Sequence, residues 1–129
     1  MSDRKTFYAN LVAAVNEQDL PRIQELIDPS FVIHYDSSLP FGGTYRGAAG
    51  FITVLTKLSA MVSEVKTEQL NYLEDTNGEQ YALIIKLSAV LIESGKSVET
   101  QVSEVWTVRA GKAVEARIWY WGASGLFDK

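Results

Sequence analysis

The sequence predicts an α+β domain in which three helices lead into a mainly antiparallel sheet. Three observations carry this expectation. Apolar residues recur at helical spacing in the first quarter of the chain and again from Phe51 to Val62. Four β-rich segments fill the second half, and glycine-containing pairs stand between them at hairpin positions. A length of 129 residues with 47% hydrophobic side chains suits one domain, residues 1–129, with ample material for a core.

The elements follow in order. Phe7, Leu11, Val12 and Val15 share one helical face behind Ser2 and Asp3, either of which can cap, so 4–16 reads as an amphipathic helix. Asp19 caps a second helix whose proline, Pro21, falls in the first turn, where its missing N–H costs nothing. Asp28-Pro29 is expected to end that helix, because the residue before proline leaves the α region. Phe31 to Tyr35 then begins a strand, and Gly42, Gly43 and Gly47 punctuate the following loop. The spacing of Phe51, Ile52, Val54, Leu55, Leu58 and Val62 predicts a third helix running to about Ser63. Four strands follow: Val65 to Leu73, Gln80 to Ile92, Ser97 to Val108 and Ala113 to Trp121. Asn77-Gly78, Ser94-Gly95 and Ala110-Gly111 connect them as a meander.

Composition narrows the function classes. A formal charge of −4, with twelve dispersed Lys and Arg, argues against a nucleic-acid surface. Without cysteine there is no thiolate chemistry, and a single histidine argues against an all-protein metal site, so no metal or cofactor is expected. The N-terminal Met-Ser-Asp-Arg-Lys is no signal region, and the longest near-apolar run is broken by Lys86 and Ser88; no membrane association and a cytoplasmic location are expected.

The most informative stretch is 31–51, where an apolar strand meets a glycine-rich turn and then a helix. His34, Tyr35 and Asp36 place three proton-handling side chains at a strand end. Strand alternation sends His34 and Tyr35 to opposite faces and leaves open which points inward; Asp36 shares the parity of His34 and could orient it. Glu104 shares a strand face with Val102 and Trp106, an apolar setting that should raise its pKa and suit it to acid or base work. Each has a plainer reading as well: Glu104 as a carboxylate satisfied by a neighbouring Arg or Tyr, His34 as a strand or interface histidine, Tyr35 as a core aromatic. Glycines 42, 43 and 47 read as turn chemistry, since no strand precedes them at phosphate-loop spacing.

A helical hairpin, a short strand, a Gly-rich loop, a long helix and a final meander, over nearly this whole chain, resemble the nuclear transport factor 2 superfamily. Ser38-Leu-Pro-Phe-Gly-Gly-Thr-Tyr-Arg-Gly-Ala-Ala-Gly-Phe is similar to the loop-to-helix segment of its SnoaL-like polyketide cyclase and ketosteroid isomerase branch, and so is the stretch from Gly111 to Phe127. The resemblance implies a strongly curved sheet wrapped around the helices as a cone, an apolar pocket inside, and a homodimer through the outer sheet face. It puts the isomerase base at Tyr35, the helical oxyanion-hole tyrosine at Leu11 and the protonated acid at Glu104, of which Glu104 alone keeps a carboxyl. The late-strand acid of the cyclases falls at Trp121; of the epoxide-hydrolase triad, Arg117 is present.

The expectation is therefore a cofactor-free isomerase or cyclase acting by proton transfer on an apolar cyclic or polyketide-like carbonyl compound. Glu104 would move the proton, Tyr35 would stabilise the oxyanion, and Leu11, Phe51, Val102, Trp106, Trp119 and Trp121 would form the walls. Which of Trp119, Tyr120 and Trp121 face the pocket is open. The alternatives are a non-catalytic binder of a hydrophobic metabolite and a dimeric interaction module.

Overall fold

The computed structural model describes residues 3–76, 78–122 and 125–127. The capping expectation for Ser2 and the Asn77 half of the first hairpin turn lie outside them. The elements are α1 (Asp3–Asn16), α2 (Leu20–Leu26), β1 (Ile27–Tyr35), β2 (Gly43–Arg46), α3 (Gly47–Met61), β3 (Val62–Glu74), β4 (Gln80–Leu91), β5 (Ser97–Arg109) and β6 (Lys112–Tyr120). The six strands form one open mixed sheet in the order β2-β1-β6-β5-β4-β3, antiparallel throughout except for the parallel pair β1 and β6. The three helices pack against one face, giving the α+β architecture expected from the sequence.

Helix α1 buries Phe7, Leu11 and Ala14, a stripe at four- and three-residue steps. Asp19 caps α2 as expected, its Oδ1 accepting the Arg22 N–H at 3.3 Å, and Pro21 sits in the first turn. That helix stops at Leu26, before the Asp28-Pro29 pair expected to end it, and Pro29 lies inside β1. Proline removes a ladder donor, so the sheet tolerates it where pairing is irregular. Between Ile27 and Val32, β1 advances past a register shift while β6 moves only from Ala113 to Glu115.

The glycine loop holds a strand that the sequence reading missed. Gly43 to Arg46 forms β2, pairing antiparallel with Val32 to Tyr35. The loop that turns β1 into β2 fits only glycine at position 42, where a Cβ would run into the Asp36 carbonyl oxygen and stand 2.9 Å from Ser37 Cα. Ala110 and Gly111, at φ 50° and 77°, make the two-residue turn between Arg109 and Lys112 that hands β5 to β6.

Bulges bend the far edge. Register shifts between Ser63 and Lys66 and between Gln69 and Asn71 interrupt the β3/β4 ladder, with Glu64 at φ 52° in the first. Each adds local twist. The concave side buries Phe31, Ile33, Phe51, Val54, Trp106, Ala116 and Ile118 in one core with Phe7, Leu11 and Ile23 from the first two helices. No helix among the described residues is long and apolar enough to cross a membrane.

Candidate functional site

Sheet register decides which side chains look inward. Leu83 pairs with Glu104, Glu104 with Ile118, and Ile118 with Tyr35, so this row crosses β4, β5, β6 and β1 with its side chains on one face. Glu104 and Tyr35 stand on either side of Ile118, their backbones about 10 Å apart at two strand spacings. One row toward α1 lie Tyr81, Trp106 and Ala116; one row the other way lie Ile85, Val102 and Tyr120.

These rows floor a cavity of about 450 Å³. Its roof is Tyr8, Leu11, Val12 and Val15 of α1 with Phe51, Leu55 and Leu58 of α3, and Val65, Thr67 and Gln69 of β3 close one side. The lining is mostly apolar and aromatic, with a few convergent polar groups, as small-molecule sites are. Among the described residues no Lys, Arg or His lines it, and Glu104 is its sole acid.

Glu104 receives one hydrogen bond, from the Trp106 indole N–H to Oε1 at 2.7 Å. Burial pushes its carboxyl above the usual range, and the indole bond pulls the other way without cancelling it. The residue is half-buried and lines the cavity. The plainer expectation of a pairing Arg or Tyr therefore gives way to a single neutral donor.

Four tyrosines surround this group. Tyr8, Tyr35, Tyr81 and Tyr120 all line the cavity, and all are held above the ordinary phenol range, first by burial and further by the negative field of Glu104. They stay protonated at neutral pH and serve as donors. The Tyr81 hydroxyl is buried without a partner. The hydroxyls of Tyr8, Tyr35 and Tyr120 make no hydrogen bond to another described residue. A neutral or ionised carboxyl ringed by free phenol donors can pass a proton and hold a developing oxyanion.

The residues named from sequence divide cleanly. Tyr35, Glu104, Leu11, Phe51 and Trp106 meet in the cavity. Val102 is buried on the same face, beside the lining. His34 lies on the outer face, its Nδ1 3.1 Å from Thr44 Oγ1 and its Nε2 3.7 Å from Glu115, because Tyr35 takes the inward parity. Asp36 does not orient it: the Asp36 carboxylate accepts the backbone N–H and hydroxyl of Ser38, both at 3.0 Å, and so shapes the loop. Trp119 and Trp121 are exposed outside, Trp119 because Ile118 and Tyr120 point in, and Trp121 with its indole N–H donating to Ser103 Oγ at 2.8 Å.

Two tyrosines of the wall escaped the sequence reading as site members, Tyr8 and Tyr81, and of the three late-strand aromatics left open Tyr120 is the one that faces the cavity. Tyr8 is one turn before Leu11 and shares its face, so the helix does present a phenol, three residues earlier than the resemblance implied. Tyr81 and Tyr120 follow from parity once Glu104 and Ile118 are known to face inward.

Comparison with known proteins agrees with the fold. An NTF2-like protein of unknown function from Burkholderia pseudomallei is 18% identical, with all of both chains aligned at a TM-score of 0.85. TerC, co-crystallised with polyporic acid, is 16% identical over 99% of this chain and 100% of its own, at 0.82. IdmH, a candidate polyketide cyclase from Streptomyces antibioticus, is 22% identical over 93% of each chain, at 0.72. At these identities the likeness is one of fold. No curated protein matches the sequence. The sequence profile of the SnoaL-like domain, however, matches residues 8–116, from the cavity's first tyrosine through the strand that carries its carboxyl, and the chain belongs to that family.

Proposed function

We propose that the protein is a cofactor-independent proton-transfer enzyme, an isomerase or cyclase, acting on an apolar cyclic or polyketide-like carbonyl compound. One observation carries the reading: a single carboxyl without a basic partner lies in an apolar cavity ringed by phenol donors. Ionised Glu104 takes the proton α to the substrate carbonyl, and the resulting enolate oxygen accepts hydrogen bonds from Tyr35 and Tyr8. Protonated Glu104 then returns the proton to carbon. The low dielectric of the cavity strengthens both interactions. A candidate polyketide cyclase among the structural relatives supports a polyketide-like ligand.

The test is exchange of the α-hydrogens of 2-tetralone in deuterium oxide, followed by proton NMR. The protein is expected to accelerate exchange well above buffer at equal pH. A rate equal to buffer, with the ketone shown to bind, favours the second reading, a non-catalytic binder using the same cavity.

The outer sheet face is proposed to hold a second copy. Ile84, Ser103 and Trp119 form one row across it and Ala82, Val105 and Arg117 the next, with Trp119 43% and Trp121 52% exposed. Sedimentation at micromolar concentration is expected to show a dimer that Trp119→Glu dissociates; a wild-type monomer would overturn this.

A further inference from the structure

Beside the tyrosine-lined cavity lies a second hollow of about 550 Å³. Helix α3 supplies Ile52, Leu55, Thr56 and Ser59 to it, at steps that fall on one face of a helix. Val15, Leu20 and Ile23 from the first two helices and Val62 and Val65 from β3 complete its walls. Val15, Leu55, Leu58 and Val65 line both spaces, so the hollow adjoins the cavity along these four side chains and stands as a vestibule to it.

Its walls are mainly apolar, with Gln18, Thr56 and Ser59 the polar residues among them. The Thr56 hydroxyl donates to the Ile52 carbonyl at 2.8 Å and the Ser59 hydroxyl to the Leu55 carbonyl at 2.9 Å, so both are satisfied within the helix. Among the described residues no charged side chain lines the space. Leu20 is 47% and Val65 52% exposed at its rim, a grouping of large apolar side chains in water that marks a contact surface. Val65, which lies within the register shift between Ser63 and Lys66, lines both spaces. From residue 52 to 59 the helix rises about 10 Å, the length of an extended octyl chain.

We propose that the vestibule holds a linear apolar tail belonging to the same ligand whose oxygenated ring sits in the cavity. The ligand class is then a ring compound bearing an alkyl-type chain, with the ring against Glu104 and the phenols and the chain along α3. This rests on the reading of the cavity as a small-molecule site, though not on proton transfer there.

Titration calorimetry with 2-naphthol and 6-octyl-2-naphthol separates the two spaces. The octyl compound is expected to bind on the order of 100-fold tighter, since each fully buried methylene gives about fourfold and the vestibule is open on one side. Ser59→Trp, at an exposed helical position, fills the vestibule and should remove most of that advantage while leaving 2-naphthol binding unchanged; Ser59→Ala should leave both intact. An octyl advantage below threefold overturns the inference, as does a Ser59→Trp effect equal on both probes. An advantage seen only on dilution assigns the vestibule to a second copy and overturns it too. If neither probe binds, the cavity reading falls with it, whereas 2-naphthol binding without an octyl advantage sinks the tail alone.

Discussion

Replacing Glu104 with Gln is expected to cut α-hydrogen exchange by 10²- to 10⁴-fold, the range that a positioned acid or base contributes, and at the same time to make the protein more stable above mildly acidic pH. The two effects share a cause. Gln keeps the shape and can still accept the Trp106 indole N–H now at 2.7 Å, but it cannot ionise. The folded-state pKa of Glu104 is raised by burial, so folding favours its protonated form. The stability this gives is complete below the ordinary glutamate range and is lost as pH rises through the raised value, where a charged carboxylate must sit in the cavity with one neutral donor. The difference in thermal midpoint between Glu104→Gln and wild type should therefore grow with pH across that window. In the same window wild-type exchange should rise, because the base is the ionised form. A midpoint difference flat with pH, or exchange retained in the variant, would remove Glu104 from its role.

Helical period and hairpin turns made much of this fold legible. The stripe in α1, the Asp19 cap and the Ala110-Gly111 turn are local, and local rules describe them. The four-residue β2 was hidden because Gly42 and Gly43 read as loop, although its partner in β1 supplies the ladder. Strand parity was harder. Leu83, Ile84 and Ile85 are apolar in sequence because the outer face is apolar as well as the inner, so pattern alone could not choose between them. Glu104 escaped that ambiguity through Val102 and Trp106, which flank it on its own face. Tyr35 and His34 could be told apart only by register, since the pairing of Tyr35 with Ile118 is a contact 83 residues away in sequence. The ring of tyrosines is of the same kind: its members come from α1, β1, β4 and β6, and no spacing along the chain joins them.

Trp106 separates packing from proton affinity. Its indole is the hub of the aromatic core: Phe31 and Tyr81 stack on it at 5.9 and 6.3 Å between centroids, and Phe51 meets it edge-on at 6.0 Å. Trp106→Ala should cost about 3–5 kcal/mol and lower the thermal midpoint by on the order of 10 °C or more. Such a variant says little about chemistry, because the cavity wall goes with it. Trp106→Phe keeps an aromatic ring in the core and removes the N–H that donates to Glu104, together with part of the indole's volume. That bond is the one influence opposing burial at the carboxyl, so its loss should raise the Glu104 pKa further. The pH profile of exchange should then move to higher pH, with activity near neutrality reduced and recovered on the alkaline side. A purely structural role predicts instead a lower rate at every pH with the profile unmoved, and that result would separate Trp106 from the tuning of Glu104 while leaving its place in the core intact.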